Sequence, residues 1–149
     1  VKARLAAAGL LGCFALVAGF EGLRTVAYRD PVGIPTLCYG STAGVRLGER
    51  ATRAQCEALL GRELLAAHDA MLACVSVPLT PGQRAAFTSF SFNVGAGAFC
   101  RSTLARRLNA RDYAGACAEL DRWVHARGVR LPGLERRRAA ERALCERRS

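Results

Sequence analysis

The chain opens on a stretch whose hydrophobic positions have almost no polar neighbours. From Leu5 to Phe20 it reads LAAAGLLGCFALVAGF, with Lys2 and Arg4 ahead of it and Glu21 directly behind. A helix over this stretch spans about 24 Å, short of the roughly 30 Å hydrocarbon core of a bilayer. Half of its residues are alanine or glycine, so the segment is only marginally hydrophobic. The basic residues in front would hold that end on the cytoplasmic side. A cleavable signal peptide is the competing reading, because Leu16-Val17-Ala18 loosely suits a small-residue cleavage site. Cleavage there would leave Glu21 almost at the new N-terminus with no helix to hold it. The pattern describes a weak anchor, greasy enough to insert and too weak to stay.

After Glu21 the pattern changes. In YRDPVGIPTLCYGSTAG (Tyr28–Gly44), Asp30-Pro31 and Gly33 are turn residues and Thr36–Tyr39 reads as a short strand, so the spacing predicts a compact β-hairpin region. Arg50–Leu72 has helical periodicity, with Thr52 as N-cap and Gln55 three positions on. Leu59, Leu60, Leu64 and Met71 form its expected buried stripe, and Arg53, Glu57 and Arg62 its wet face. Two prolines in CVSVPLTPGQ end that helix. Thr80 caps the next one, with Pro81 at its first position and Gln83 at its third. Gln83–Gly95 is apolar enough for a buried helix ended by glycine. Three more helices are expected: one capped by Ser102, one capped by Asp112 and running to Arg127, and one from Gly133 onward. FNVGAGAF lacks the lysine and the preceding strand of a phosphate loop, and reads as a helix-to-helix turn bordering a cleft. The expected fold is α+β and mostly helical, with a small hairpin lobe joined by a long helix to a helical C-terminal lobe.

Charge narrows the partners. The 149 residues carry 22 basic and 12 acidic side chains, a net charge of +10 that is almost all arginine. Such a surface suits an anionic partner, whether nucleic acid, anionic lipid or an acidic wall polymer. Much of the C-terminal run ERRRAAERALCERR is equally well read as a solvated helix face with Glu–Arg pairs. The seven cysteines (13, 38, 56, 74, 100, 117, 145) have wide spacings, and the two histidines, His68 and His125, stand alone. A metal site is therefore not expected, nor any cofactor, and the cysteines point to a disulfide framework in an oxidising compartment. The odd count leaves Cys13 over, inside the apolar segment. Trp123 is expected to anchor the C-terminal helices, with a sugar-lining role for it and Arg122 as the lesser reading.

Three residues carry candidate chemistry. Glu21 ends an apolar helix, where desolvation would keep a carboxyl protonated as an acid. Asp30 lies in a polar turn that favours the ionised form. Thr36, six positions later, offers a hydroxyl that can orient water. Two carboxyls in contrasting environments are what glycosidic cleavage requires: one protonates the leaving oxygen while the other serves the opposite face of the sugar. A glutamate at a helix end and an aspartate in a turn also arise without catalysis, so the spacing alone leaves both readings open.

FEGLRTVAYRDPVGIPTLCYGST resembles the active-site segment of phage-type lysozymes, the muramidases of glycoside hydrolase family 24. Their pattern of Glu, eight residues, Asp, five residues, Thr is met by Glu21, Asp30 and Thr36. The likeness continues through LTPGQRAAFTSFSFNVGAGAFCRSTLARRLNARDY and RWVHARGVRLPGLERRRAAERALC, so it spans nearly the whole chain after Phe20. The resemblance implies a lysozyme-like two-lobe fold and hydrolysis of the β-1,4 bond between N-acetylmuramic acid and N-acetylglucosamine in peptidoglycan. It implies Glu21 as general acid, Asp30 as base or electrostatic partner, and Thr36 as a holder of the attacking water. Ser41 departs from the family, many of whose members have a histidine after YG that joins a buried charge pair.

The N-terminal stretch, fused directly to Glu21, resembles the signal-arrest-release segment of secreted endolysins. That implies residues 1–20 as a segment tethered to the host inner membrane, at its periplasmic face, which later packs onto the catalytic domain of residues 21–149 once the enzyme is released to the periplasm. Asp30 is an aspartate, and no cysteine lies between Cys13 and Cys38, which favours activation by geometry over thiol exchange through Cys13. Proximity of neighbouring elements pairs Cys38 with Cys56, Cys74 with Cys100 and Cys117 with Cys145. The resulting expectation is a monomeric bacteriolytic enzyme acting on peptidoglycan, with no nucleic-acid partner. The alternatives are a lytic transglycosylase and a non-enzymatic basic membrane or nucleic-acid binding protein.

Overall fold

The structure, a computed structural model, describes residues 2–148. The end residues 1 and 149, which bound the two expected segments, lie outside the described residues. The apolar N-terminal stretch forms two helices where the pattern suggested one: α1 (Lys2–Ala7) and α2 (Leu11–Glu21). Gly9 breaks them with a φ of 72°, a backbone conformation that glycine enters without steric cost. Leu5, Leu10, Cys13 and Val17 point into the core, while Leu11 and Phe20 remain exposed. Among the described residues no helix is long and apolar enough to cross a membrane.

Strands β1 (Arg24–Arg29) and β2 (Pro35–Cys38) make an antiparallel hairpin, with Tyr28 opposite Thr36 and Arg29 opposite Pro35. β1 starts upstream of the hairpin region expected from the turn residues. Its other edge is covered by the loop after β2, where Ala27 N–H donates to the Glu49 carbonyl at 2.7 Å and Ala51 N–H to Thr25 at 3.0 Å. The long helix α3 (Arg53–Leu72) then leaves this lobe. Thr52 and Gln55 form a reciprocal capping box, each satisfying a backbone N–H that the helix would otherwise leave unpaired. Its buried face carries Leu60, Leu64 and Met71 as expected, joined by Cys56 and Leu65, with Leu59 half-buried.

The helical lobe is built from α4 (Pro81–Val94), α5 (Ala96–Cys100), α6 (Thr103–Asn109), α7 (Tyr113–Glu119) and α8 (Pro132–Cys145). Thr80 and Gln83 cap α4 as a second box, Ser102 Oγ accepts from Ala105 N–H, and Asp112 accepts from Gly115 N–H. The helix expected from Asp112 to Arg127 stops early. It ends at Glu119, is followed by a 3-10 turn (Leu120–Arg122), and gives way to a small hairpin of β3 (His125–Ala126) and β4 (Val129–Arg130). Arg127 and Gly128 both have positive φ, the signature of a two-residue hairpin turn, and Arg127-Gly128 is not one of the dipeptides that advertise it. FNVGAGAF likewise turns at Gly95 alone, and α5 begins directly after it.

Two hydrophobic clusters result. One packs α1, α2 and the hairpin against the first half of α3, and the other gathers α4 to α8 around Phe87, Phe90 and Phe99. α3 and α4 contribute to both, Leu60 and Ala85 to the first and Met71 and Ala86 to the second. Trp123 is half-buried, its ring edge-on to Phe90 at 5.2 Å. Disulfides join Cys38 to Cys56, Cys74 to Cys100 and Cys117 to Cys145, and Cys13 is a buried free thiol.

Candidate active site

Glu21 is the last residue of α2, and Gly22 (φ 74°) turns the chain at once into β1. The carboxyl is therefore carried by a helix whose inward stripe, Leu10, Cys13 and Val17, is clamped in the core. Arg137 of α8 donates through Nη1 to Glu21 Oε1 at 2.6 Å, and the Glu21 side chain keeps about a quarter of its surface open. From the other side Gly40 approaches so closely that a Cβ there would lie 3.2 Å from Glu21 Oε2. Gly40 also has a φ of 92°, so both the backbone and the space call for glycine.

Asp30 sits in the turn that closes the β1–β2 hairpin. Its Oδ1 accepts from the N–H groups of Val32 (3.0 Å) and Ile34 (2.8 Å), and its own N–H donates to the Ile34 carbonyl at 2.9 Å. These bonds fix the carboxyl's direction and leave Oδ2 without a hydrogen bond among the described residues. Thr36, one residue into β2, is buried, and its hydroxyl donates to the Ile34 carbonyl at 2.9 Å. With its proton committed there, Oγ1 can only accept, which suits a water that must point a hydrogen at it.

Behind Glu21 lies a group that the sequence reading missed. Arg137, Arg138 and Glu141 were expected on a solvated or polymer-binding helix face, yet all three are buried, Glu141 completely. Glu141 Oε2 accepts from Ser89 Oγ at 2.6 Å and from Arg137 Nε at 3.4 Å, and Oε1 pairs with Arg138. Arg137 also donates to the Ser89 carbonyl at 3.2 Å, and Arg138 to the Trp123 carbonyl at 2.9 Å and to Asn93. Burial pulls the Arg138 guanidinium below its ordinary range, with Glu141 acting in the opposite sense. Burial also pushes the neighbouring Cys13 thiol up to about 12, Glu141 raising it further and Arg137 lowering it. A signal did exist: positions 134, 137, 138, 141 and 145 follow the helical period, so the charges occupy a stripe that begins at Leu134 and ends at Cys145.

Ser41, read from the resemblance as a departure from the family, donates through Oγ to Glu63 Oε1 of α3 at 2.6 Å. One hydroxyl here ties the hairpin lobe to the long helix. His68 is buried beside Asp69 at 3.1 Å and His125 is exposed on β3, and no cluster among the described residues has metal-ligand geometry.

An acid-bearing helix facing a hairpin that carries a second carboxyl and a buried threonine, on two lobes spanned by one helix, is the arrangement of a lysozyme-like glycoside hydrolase. Residues 18–141 match the family model described as phage lysozyme, and the chain belongs to that family. It is 41% identical over 128 residues to a SAR-endolysin of Bacteriophage PS119, covering 85% of this chain and 77% of that one. The muramidase domain of SpmX from Asticaccaulis excentricus superposes with a TM-score of 0.86 at 36% identity, covering 93% of this chain and 97% of that domain. The active form of the P1 phage endolysin Lyz gives a TM-score of 0.82 at 27% identity, over 91% of this chain and 83% of that one. The secreted inactive form of the same endolysin shares the fold, with a TM-score of 0.62 at 23% identity over 91% of this chain and 93% of that one.

Proposed function

We propose that the enzyme is an N-acetylmuramidase that hydrolyses the β-1,4 bond between N-acetylmuramic acid and N-acetylglucosamine in peptidoglycan, for lysis of a phage-infected host. Glu21 donates its proton to the glycosidic oxygen as the bond to C1 breaks. Asp30, through its free Oδ2, takes a proton from a water held by Thr36 Oγ1, and that water's oxygen bonds to C1. The proton then leaves Asp30 and one returns to Glu21, which restores the pair. The observation that carries this reading is the Glu21–Arg137 contact at 2.6 Å: the guanidinium stands where the Glu21 carboxylate is left once its proton is given up.

The same reading includes activation by release. Residues 1–20 tether the newly made enzyme to the inner membrane, which draws Glu21 to the interface and away from Asp30. On membrane depolarisation the segment leaves the bilayer, residues 1–20 pack against residues 21–149, and the monomer acts in the periplasm. The marginal hydrophobicity of the segment supports this, as do the exposed Leu11 and Phe20 on a helix whose other face is buried.

The test is digestion of purified peptidoglycan in ¹⁸O-water by the wild type and Glu21→Gln, read by mass spectrometry. The expected result is ¹⁸O at new muramic acid reducing ends for the wild type, and a loss of at least about 10²-fold for the variant. Ends of the 1,6-anhydro type would replace hydrolysis with transglycosylation, and an active Glu21→Gln would remove Glu21 from the chemistry.

A further inference from the structure

Glu21 has to carry a proton to act, yet its nearest partner is a guanidinium that attracts the ionised form. Arg137 is buried and fixed at three points: Glu21, the Ser89 carbonyl and Glu141. Of these only Glu141 is a second anion, and it is fully buried, with its Oε2 pinned by Ser89 Oγ and its Oε1 by Arg138. Glu21, Arg137, Glu141 and Arg138 together carry no net charge. Remove the charge of Glu141 and Arg137 keeps Glu21 as its one anionic partner, while Arg138 is left buried beside it with none.

Resting on the reading of Glu21 as the acid, we infer that Glu141 is a positioning residue, which aims Arg137 at Glu21 and takes up enough of its charge for Glu21 to hold the proton it must donate. The other groups around this set come from every element packed on it. α2 contributes Glu21 itself and the un-ionised Cys13 thiol, α4 the Ser89 hydroxyl and carbonyl and the Asn93 amide, and the turn after α7 the Trp123 carbonyl. From the hairpin side Gly40 brings backbone to Glu21, and Asp30 is the carboxylate that the proposed mechanism sets opposite it. No other charged side chain among the described residues pairs with Arg137 or Arg138.

The sign follows from the charges. Without the Glu141 anion, the field at Glu21 becomes more positive and its proton leaves at lower pH. The alkaline limb of the activity profile therefore moves to lower pH, and kcat falls about 10-fold or more through misplacement of Arg137, while KM stays within about threefold because no substrate contact is touched. The experiment measures kcat, KM and the pH profile of hydrolysis for wild type, Glu141→Gln and Ser89→Ala, with Tm followed in parallel. Ser89→Ala keeps the anion and removes the hydroxyl that pins it, so it is expected to lower kcat through a looser aim of Arg137 and to leave the alkaline limb in place. A lower Tm accompanies either a structural or a positioning role and decides nothing. An unmoved alkaline limb in Glu141→Gln would overturn the inference, and so would an unchanged kcat in Ser89→Ala where that variant alone folds. Inactive Glu21→Gln beside unaffected Glu141 and Ser89 variants sinks this inference alone, whereas active Glu21→Gln sinks the acid assignment beneath it.

Discussion

Gly12 and Gly19 make the release reading quantitative. Both lie on α2 facing solvent with no atom within 4 Å of where a Cβ would stand, and neither has the positive φ that would penalise a side chain. Gly12→Leu and Gly19→Leu therefore leave the released fold undisturbed. Full burial of a leucine side chain contributes about 1.5–3 kcal/mol. In the bilayer both new side chains are buried, and in the released enzyme both remain in water. The double variant thus favours the embedded state by about 3–6 kcal/mol, a shift in partition of roughly 10²- to 10⁴-fold. The gain in helix propensity over glycine accrues to both states and cancels. Cells expressing the variant are depolarised, and the enzyme is followed in membrane and periplasmic fractions beside the time of lysis. Retention on the membrane with delayed lysis is expected, and the variant purified in released form should hydrolyse peptidoglycan at the wild-type rate. Unchanged release would refute the marginal-anchor argument. A purified variant that is slow would show that these positions are not free in the active fold.

Two further outcomes follow from the site. Gly40→Ala puts a Cβ 3.2 Å from Glu21 Oε2 at a φ of 92°, and is expected to cost about 1–2 kcal/mol of stability and about 10-fold or more in kcat; kinetics and Tm together check it, and wild-type values would mean the two lobes do not close on Glu21 through Gly40. Cys13 ionises near 9 in an unfolded chain, and burial pushes it to about 12 in the fold, so its contribution to stability is complete below pH 9 and is lost as the pH rises from 9 to 12. Denaturant titrations across that range should show the decline in the wild type and a weaker one in Cys13→Ala, and iodoacetamide should label Cys13 only on unfolding.

What the sequence made legible was local chemistry. Thr52 with Gln55 and Thr80 with Gln83 cap their helices as read, because a capping box is closed within four residues and needs no tertiary partner. Asp30 was legible for the same reason, its carboxyl being satisfied by the N–H groups of its own turn. The misses were tertiary. Arg137 meets Glu21 across 116 positions of chain and Ser89 meets Glu141 across 52, so neither pair leaves a local spacing to find. The three charges of α8 looked like a wet face because arginine and glutamate are almost never buried unless paired. The break at Gly9 and the hairpin at Arg127-Gly128 were missed because a weakly patterned run of small residues, or of arginines, gives periodicity little to grip.

The three disulfides all close loops between residues 38 and 145. Cys38–Cys56 ties the end of β2 to the first turn of α3, and the other two lie within the helical lobe. The first 37 residues, with α1, α2, the Glu21 carboxyl and the Asp30 turn, are crossed by no covalent bridge. In the release reading, oxidation and docking of the N-terminal helices would thus be independent steps. On that reading a fully cross-linked body would wait for α2, and α2 would dock without any sulfur bond being broken.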